Sequence, residues 1–129
     1  MQFRTFERER QTMKYALLIF EDDAQYGGDD TPEMHAIMAK HGAFVGELGT
    51  HFQGGAGLKR SESATTLRQP AAGATRTVHD GPFSEAREQL GGFYLIDVPD
   101  LDAAIAWARK LPLAGRGAVE IRPLLDHGG

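Results

Sequence analysis

Three polar residues in the middle of the 129-residue chain have types and spacings that suit chemistry. Asp80 opens the run Asp80-Gly81-Pro82-Phe83. Gly81 tolerates unusual backbone angles and Pro82 fixes its own φ, so the carboxylate stands at a stiff corner at the end of a strand. There it is a candidate general base, or the group that orients a histidine. The alternative is an Asx-type turn, in which the side chain accepts from nearby backbone N–H groups. Arg68 and Thr66 lie two residues apart on one face of a strand. A guanidinium beside a hydroxyl suits a carboxylate or phosphate ligand held bidentately. The same arginine suits an internal role, holding Asp80, Glu120 or a helix terminus.

The histidines divide by position. His79 neighbours Asp80 on a strand, where adjacent side chains take opposite faces, so the two do not pair. His41 falls within an apolar helical stripe and reads as a hydrogen-bonded core histidine. His35 lies beside that stripe, where the helix can border a cleft, and is the histidine candidate for function. His35 and His41 are six residues apart, off a common helical face. No cysteine or clustered carboxylate completes a site with them, so no metal is expected. The glycine-rich "GGAGLKR" lacks the Gly-Lys-Ser/Thr ending of a phosphate loop, and no other cofactor signature is present.

The elements that must position these residues follow from patterning. "MKYALLIF" from Met13 is apolar on both faces, as expected of a strand covered on two sides. An acidic loop, "EDDAQYGGDD", follows and reads as solvated or as a partner surface. Thr31 caps a helix, Pro32 suits its first position and Gly49 stops it. Met34, Ile37, Met38, His41, Val45 and Leu48 form its stripe. Ala39, Gly42, Ala43 and Gly46 form a small-residue face suited to close approach by a sheet or a second subunit. Residues 50–62 are glycine-rich and aperiodic. "SATTLRQPAAGATRTVHD" reads as two strands around a loop at Gln69–Ala74. "GGFYLIDV" is a clear strand. Asp100 caps a second helix, with Leu101, Ala104, Ile105, Ala108 and Leu111 inward, Trp107 as packing, and Pro112 at its end. "AVEIRPL" alternates as a strand with one polar side.

The order is strand–helix–strand, an inserted hairpin, then strand–helix–strand. The expected fold class is α+β: a two-layer, ferredoxin-like βαββαβ domain over residues 13–125 with an inserted hairpin. Residues 1–12 are expected to be a flexible arm or an upstream start, and 126–129 a short tail. Both helices cover one face of the sheet. Because the first strand is apolar on its other face too, two copies are expected to pack sheet against sheet as a homodimer.

Composition narrows the partners. A formal charge of -4 with interspersed signs argues against a nucleic-acid groove or an anionic membrane. No apolar run approaches the ~20 residues that span a bilayer, the first residues do not read as a signal peptide, and a cytoplasmic location is expected.

"ATTLR" at 64–68, "DGPFSEAREQLGGFYLIDV" at 80–98, "AIAWARKLP" at 104–112 and "VEIRPL" at 119–124 together resemble the YCII-related family, in the branch named for its DGPF motif. The resemblance implies a dimeric ferredoxin-like α/β-barrel protein and a function largely unassigned. For some relatives it implies a histidine–aspartate pair as catalytic groups, which here maps to His35 and Asp80; Arg68 matches the arginine of the family's "ATT-aliphatic-R" motif. It also implies a link to sigma factors for some DGPF members. Two functions are therefore carried forward. One is a metal-independent enzyme using Asp80, with or without His35, for acid/base chemistry on a small polar or anionic molecule oriented by Arg68 and Thr66. The alternative is a non-catalytic ligand-binding or regulatory module.

Overall fold

A computed structural model describes residues 12–125. The arm at 1–12, apart from Thr12, and the tail at 126–129 lie outside the described residues. The elements run β1 (Met13–Glu21), α1 (Pro32–Leu48), β2 (Phe52–Gly57), β3 (Thr65–Arg68), β4 (Thr77–Asp80), β5 (Gln89–Val98), α2 (Leu101–Lys110) and β6 (Gly117–Pro123). Four strands form an antiparallel sheet in the order β2-β5-β1-β6, and β3 with β4 forms a separate two-stranded sheet. This is the α+β, ferredoxin-like arrangement of split βαβ units with an inserted hairpin.

Both helices start as their sequences require. The Thr31 hydroxyl accepts from the Met34 amide at 3.1 Å and donates to the Tyr26 carbonyl at 2.6 Å, tying the cap to the preceding turn. The Asp100 side chain accepts from the Ala103 amide at 2.9 Å. Tyr15, Leu17 and Ile19 of β1 and Tyr94, Ile96 and Val98 of β5 face the helices. There they meet Phe44 and Leu48 of α1, Ala104 of α2, and Leu111 just beyond it. The inward stripe of α1 is centred differently from its expected line. Phe44 is buried at 4% exposure while Met38 is 55% exposed. At 100° per residue the core side of α1 runs Ile37, His41, Phe44, Leu48, which leaves Met38 on its flank. Leu101, in the first turn of α2, is likewise half exposed.

The glycine-rich stretch 50–62, aperiodic in sequence, contains the edge strand β2. It pairs with β5 from Phe52↔Ile96 to Gly57↔Gly92, with a bulge between Phe52 and Gly54. Glycine is required by proximity: a Cβ on Gly55 would lie 2.5 Å from the Phe93 carbonyl oxygen and 3.0 Å from Tyr94 Cδ1. That closeness removes the side-chain alternation by which strands are read. By contrast, Gly42 and Gly46 on the small-residue face of α1 have open space around them, so among the described residues no element packs closely on those two positions.

On the sheet face away from the helices, Leu18, Phe20, Phe93 and Leu95 are half-buried, with Lys14, Asp97, Glu120 and Arg122 around them. β4 is exposed along its whole length, and Leu67, Val78 and Phe83 are 57%, 65% and 69% exposed.

Candidate functional site

A cavity of about 600 Å³ lies between α1, the β1–β5–β2 side of the sheet, and the segment following β2. Its apolar wall includes Ile19, Met34, Ile37, Val45 and Phe52. Its polar groups sit in two places. On the floor, His41 Nδ1 and the Tyr94 hydroxyl are 2.7 Å apart, joining α1 to β5. Their rings are 5.8 Å apart between centroids, and the Tyr94 ring also packs on Phe44 at 5.3 Å and Phe52 at 6.2 Å. Burial pushes His41 below its ordinary pKa, against the opposing pull of the Glu21 charge. Burial also raises the Tyr94 phenol. Near neutral pH the floor is therefore an uncharged imidazole against an uncharged phenol.

Beside them, Glu21 is 6% exposed and engaged through one carboxylate oxygen. Its Oε2 accepts from the Tyr26 hydroxyl at 2.7 Å, Gln25 Nε2 at 3.2 Å and the Ala114 amide at 3.3 Å. Desolvation first, then the bond to Glu21 and its charge, drive the Tyr26 pKa far upward. Glu21 thus fastens the end of β1 to the turn after it and to the α2–β6 connection.

The outer wall is the segment Leu58–Arg60, which the acidic loop holds in place. Asp29 Oδ1 accepts from the Arg60 amide at 3.0 Å, and Asp23 Oδ2 from the Ser61 amide at 2.6 Å. Carboxylates that look solvated in sequence thus serve as backbone acceptors. The Arg60 guanidinium contacts Glu62, and its Nε lies 3.8 Å from Asp29.

The sequence candidates are distributed around this cavity rather than gathered in it. His35 lines its rim, exposed, and bonds Asp30. Thr66 lines a neighbouring recess of about 360 Å³ that shares Leu58, Lys59 and Arg60 with the cavity. Arg68 lines neither; its guanidinium sits 4.7 Å over the Phe83 ring, and it has no ion pair among the described residues. Asp80 is exposed and lines neither as well, so one chain does not bring Asp80 and His35 together.

The corner after Asp80 is pinned by its glycine. Gly81 adopts φ +100°, its amide donates to the Ala64 carbonyl at 2.7 Å, and its carbonyl accepts from the Thr66 hydroxyl at 2.7 Å. Among the described residues no group of three or more His, Asp or Glu is placed to hold a metal ion. No helix among them is long and apolar enough to cross a membrane.

Tyr94, Glu21 and Tyr26 escaped the sequence reading. One signal was available for Tyr94: an inward-facing tyrosine on a buried strand needs a hydroxyl partner, and His41 is the polar residue in the facing stripe.

Fold and cavity together define a ferredoxin-like α+β domain with a small-molecule-sized pocket under its first helix. Residues 13–127 match the YCII-related domain family. A relative in Rhizobium meliloti (strain 1021), the uncharacterized protein R00369, is 40% identical over 120 residues, covering 87% of this chain and 92% of the relative. The chain belongs to the YCII-related family.

Proposed function

We propose that this protein binds a small molecule with an apolar body and a polar or anionic group in the cavity beneath α1, and does so as a homodimer. The Asp80–Phe83 corner supports its assignment to the DGPF branch of the family. The observation that carries the binding reading is the cavity itself: about 600 Å³, apolar for most of its wall, with His41 and Tyr94 hydrogen-bonded on its floor. Ligand pockets have this construction, roughly 300–1,000 Å³ of mainly apolar lining with a few placed polar groups.

The homodimer is supported by what one copy leaves uncovered. The half-buried apolar side chains of the open sheet face and the exposed Leu67, Val78 and Phe83 of the hairpin region all call for a partner surface. An isolated two-stranded hairpin is at best marginally stable, so a second copy is the natural cover. In that assembly Arg68, Thr66 and Asp80 act at the cavity only where the partner's hairpin reaches it, with His35 at the rim. A cytoplasmic setting agrees with a cysteine-free chain.

Thermal shift across a metabolite library, with saturation-transfer NMR on the hits, tests this. Met38 lines the cavity at 55% exposure, so Met38→Trp narrows the opening without entering the core. A ligand-induced shift lost in Met38→Trp places the ligand in the cavity. Additional loss in Asp80→Ala or Arg68→Ala brings the hairpin to the site. No shift with any compound overturns the binding reading, and a monomer by sedimentation at micromolar concentration overturns the dimer.

A further inference from the structure

We infer that His41 and Tyr94 form a proton-transfer pair that tautomerises a small carbonyl compound held in this cavity, a step that rests on the cavity being the ligand site. Neither residue stands out as catalytic in sequence. His41 reads there as a satisfied core histidine and Tyr94 as one strand residue among eight. The structure gives the histidine its expected partner and also gives it access to a cavity. Only one ring nitrogen is engaged: Nδ1 meets the Tyr94 hydroxyl at 2.7 Å, while Nε2 has no partner among the described residues and is not sealed from solvent. With Nδ1–H donating to the phenol oxygen, Nε2 carries the free lone pair and the phenol O–H is left to donate into the cavity. One imidazole lone pair and one phenol donor side by side form the minimal kit for moving a proton at carbon.

The pair is rigidly placed. His41 is on a helix and Tyr94 on a central strand, and Phe44, Phe52 and the close backbone of Gly55 confine the tyrosine ring. The charged and titratable surroundings are defined on every side. β1 contributes Glu21, engaged by three donors, and the turn after it contributes Asp23, Tyr26 and Asp29. The segment after β2 contributes Lys59 and Arg60, and α1 contributes His35. The buried Glu21 charge lies near enough to favour an imidazolium, which a proton-accepting histidine becomes during turnover. Desolvation keeps that histidine neutral, and ready to accept, at rest.

The step balances without another reactant. Nε2 takes a proton from the carbon next to a carbonyl, and the electron pair of that C–H bond moves onto the carbonyl oxygen as an enolate. The enolate oxygen accepts from the Tyr94 O–H. The imidazolium then returns its proton to the enolate, at oxygen or at carbon, and the pair is restored. The apolar wall fits an alkyl or aryl side chain, and Lys59 offers a cationic group for a carboxylate, so the substrate class is a 2-keto acid with an apolar side chain.

The test follows hydrogen–deuterium exchange at the carbon next to the keto group by NMR in D₂O, with phenylpyruvate and 4-methyl-2-oxopentanoate as probes, and records saturation transfer to each probe in the same sample. Wild type is expected to exceed His41→Gln by about 100-fold or more, the usual contribution of a general base. Tyr94→Phe, which keeps the packed ring, should lose about 100-fold as an oxyanion donor. The wild-type rate should rise with pH to a plateau that begins below about 6.5, the ordinary histidine midpoint, and that profile should vanish in His41→Gln. A probe that binds without exchange above the His41→Gln level overturns the proton-transfer pair and leaves the cavity reading standing. Absence of both binding and exchange overturns the pair as well; the library shift in Met38→Trp then decides separately whether the cavity reading falls.

Discussion

Replacing Tyr26 with phenylalanine removes one oxygen and leaves the ring, so it isolates a single bond to a buried carboxylate. Tyr26 and Glu21 are 5% and 6% exposed, and water does not readily substitute for the lost donor. The 2.7 Å bond is the shortest of three to Glu21 Oε2, and the two that remain, at 3.2 and 3.3 Å, are long. A hydrogen bond to a charged group contributes about 1.5–3 kcal/mol, so Tyr26→Phe should lose about 2 kcal/mol, lowering Tm by roughly 6–10 °C for a chain of this size. Urea unfolding of wild type, Tyr26→Phe, Glu21→Gln and the double variant should give a coupling energy of about 1 kcal/mol or more.

Alkaline titration supplies a second signature. The folded pKa of Tyr26 is raised, so its stabilisation is complete below the unfolded value of about 10 and declines as pH climbs above that toward the folded value. Wild type should lose stability there more steeply than Tyr26→Phe. A loss below about 0.5 kcal/mol, with an unchanged urea slope, would refute the claim that Glu21 depends on this donor.

Gly55→Ala puts a Cβ 2.5 Å from the Phe93 carbonyl oxygen. Strand β2 must shift, and a loss of about 1–3 kcal/mol with faster amide exchange along Phe52–Gly57 should result. His41 has a folded pKa below its unfolded value, so the unfolded chain binds the extra proton. Stability should therefore fall as pH drops from about 6.5 toward the folded value, and His41→Gln should flatten that limb in a urea series across pH.

What the sequence revealed tracks how local the cause is. Both helix starts rest on a cap and a proline or acid within four residues, and Thr31 and Asp100 make the amide contacts their types suggest. Strand β6 was legible because alternation is a two-residue signal, and β1 and β5 because a short apolar run bounded by loop residues is also a local one. β2 was not, because contact with Phe93 and Tyr94 demands glycine and so erases the pattern. The site was less legible still. His41 meets a hydroxyl 53 positions away, and Glu21 an amide 93 positions away. No spacing rule announces such partners. The motif residues that did stand out, Asp80 and Arg68, sit on an exposed hairpin, where one chain alone assigns them no ligand.

The outer wall of the cavity is attached in an uncommon manner. Asp23 and Asp29 clasp two consecutive amides, Ser61 and Arg60, while the side chain of Leu58 beside them is half exposed. Releasing this segment means breaking these two polar bonds, each contributing about 1.5–3 kcal/mol, and the bond from the Leu58 amide to the Gly91 carbonyl at 2.9 Å, while the hydrophobic layer behind it stays packed. Opening confined to this segment is a local event, far faster than unfolding of the whole domain.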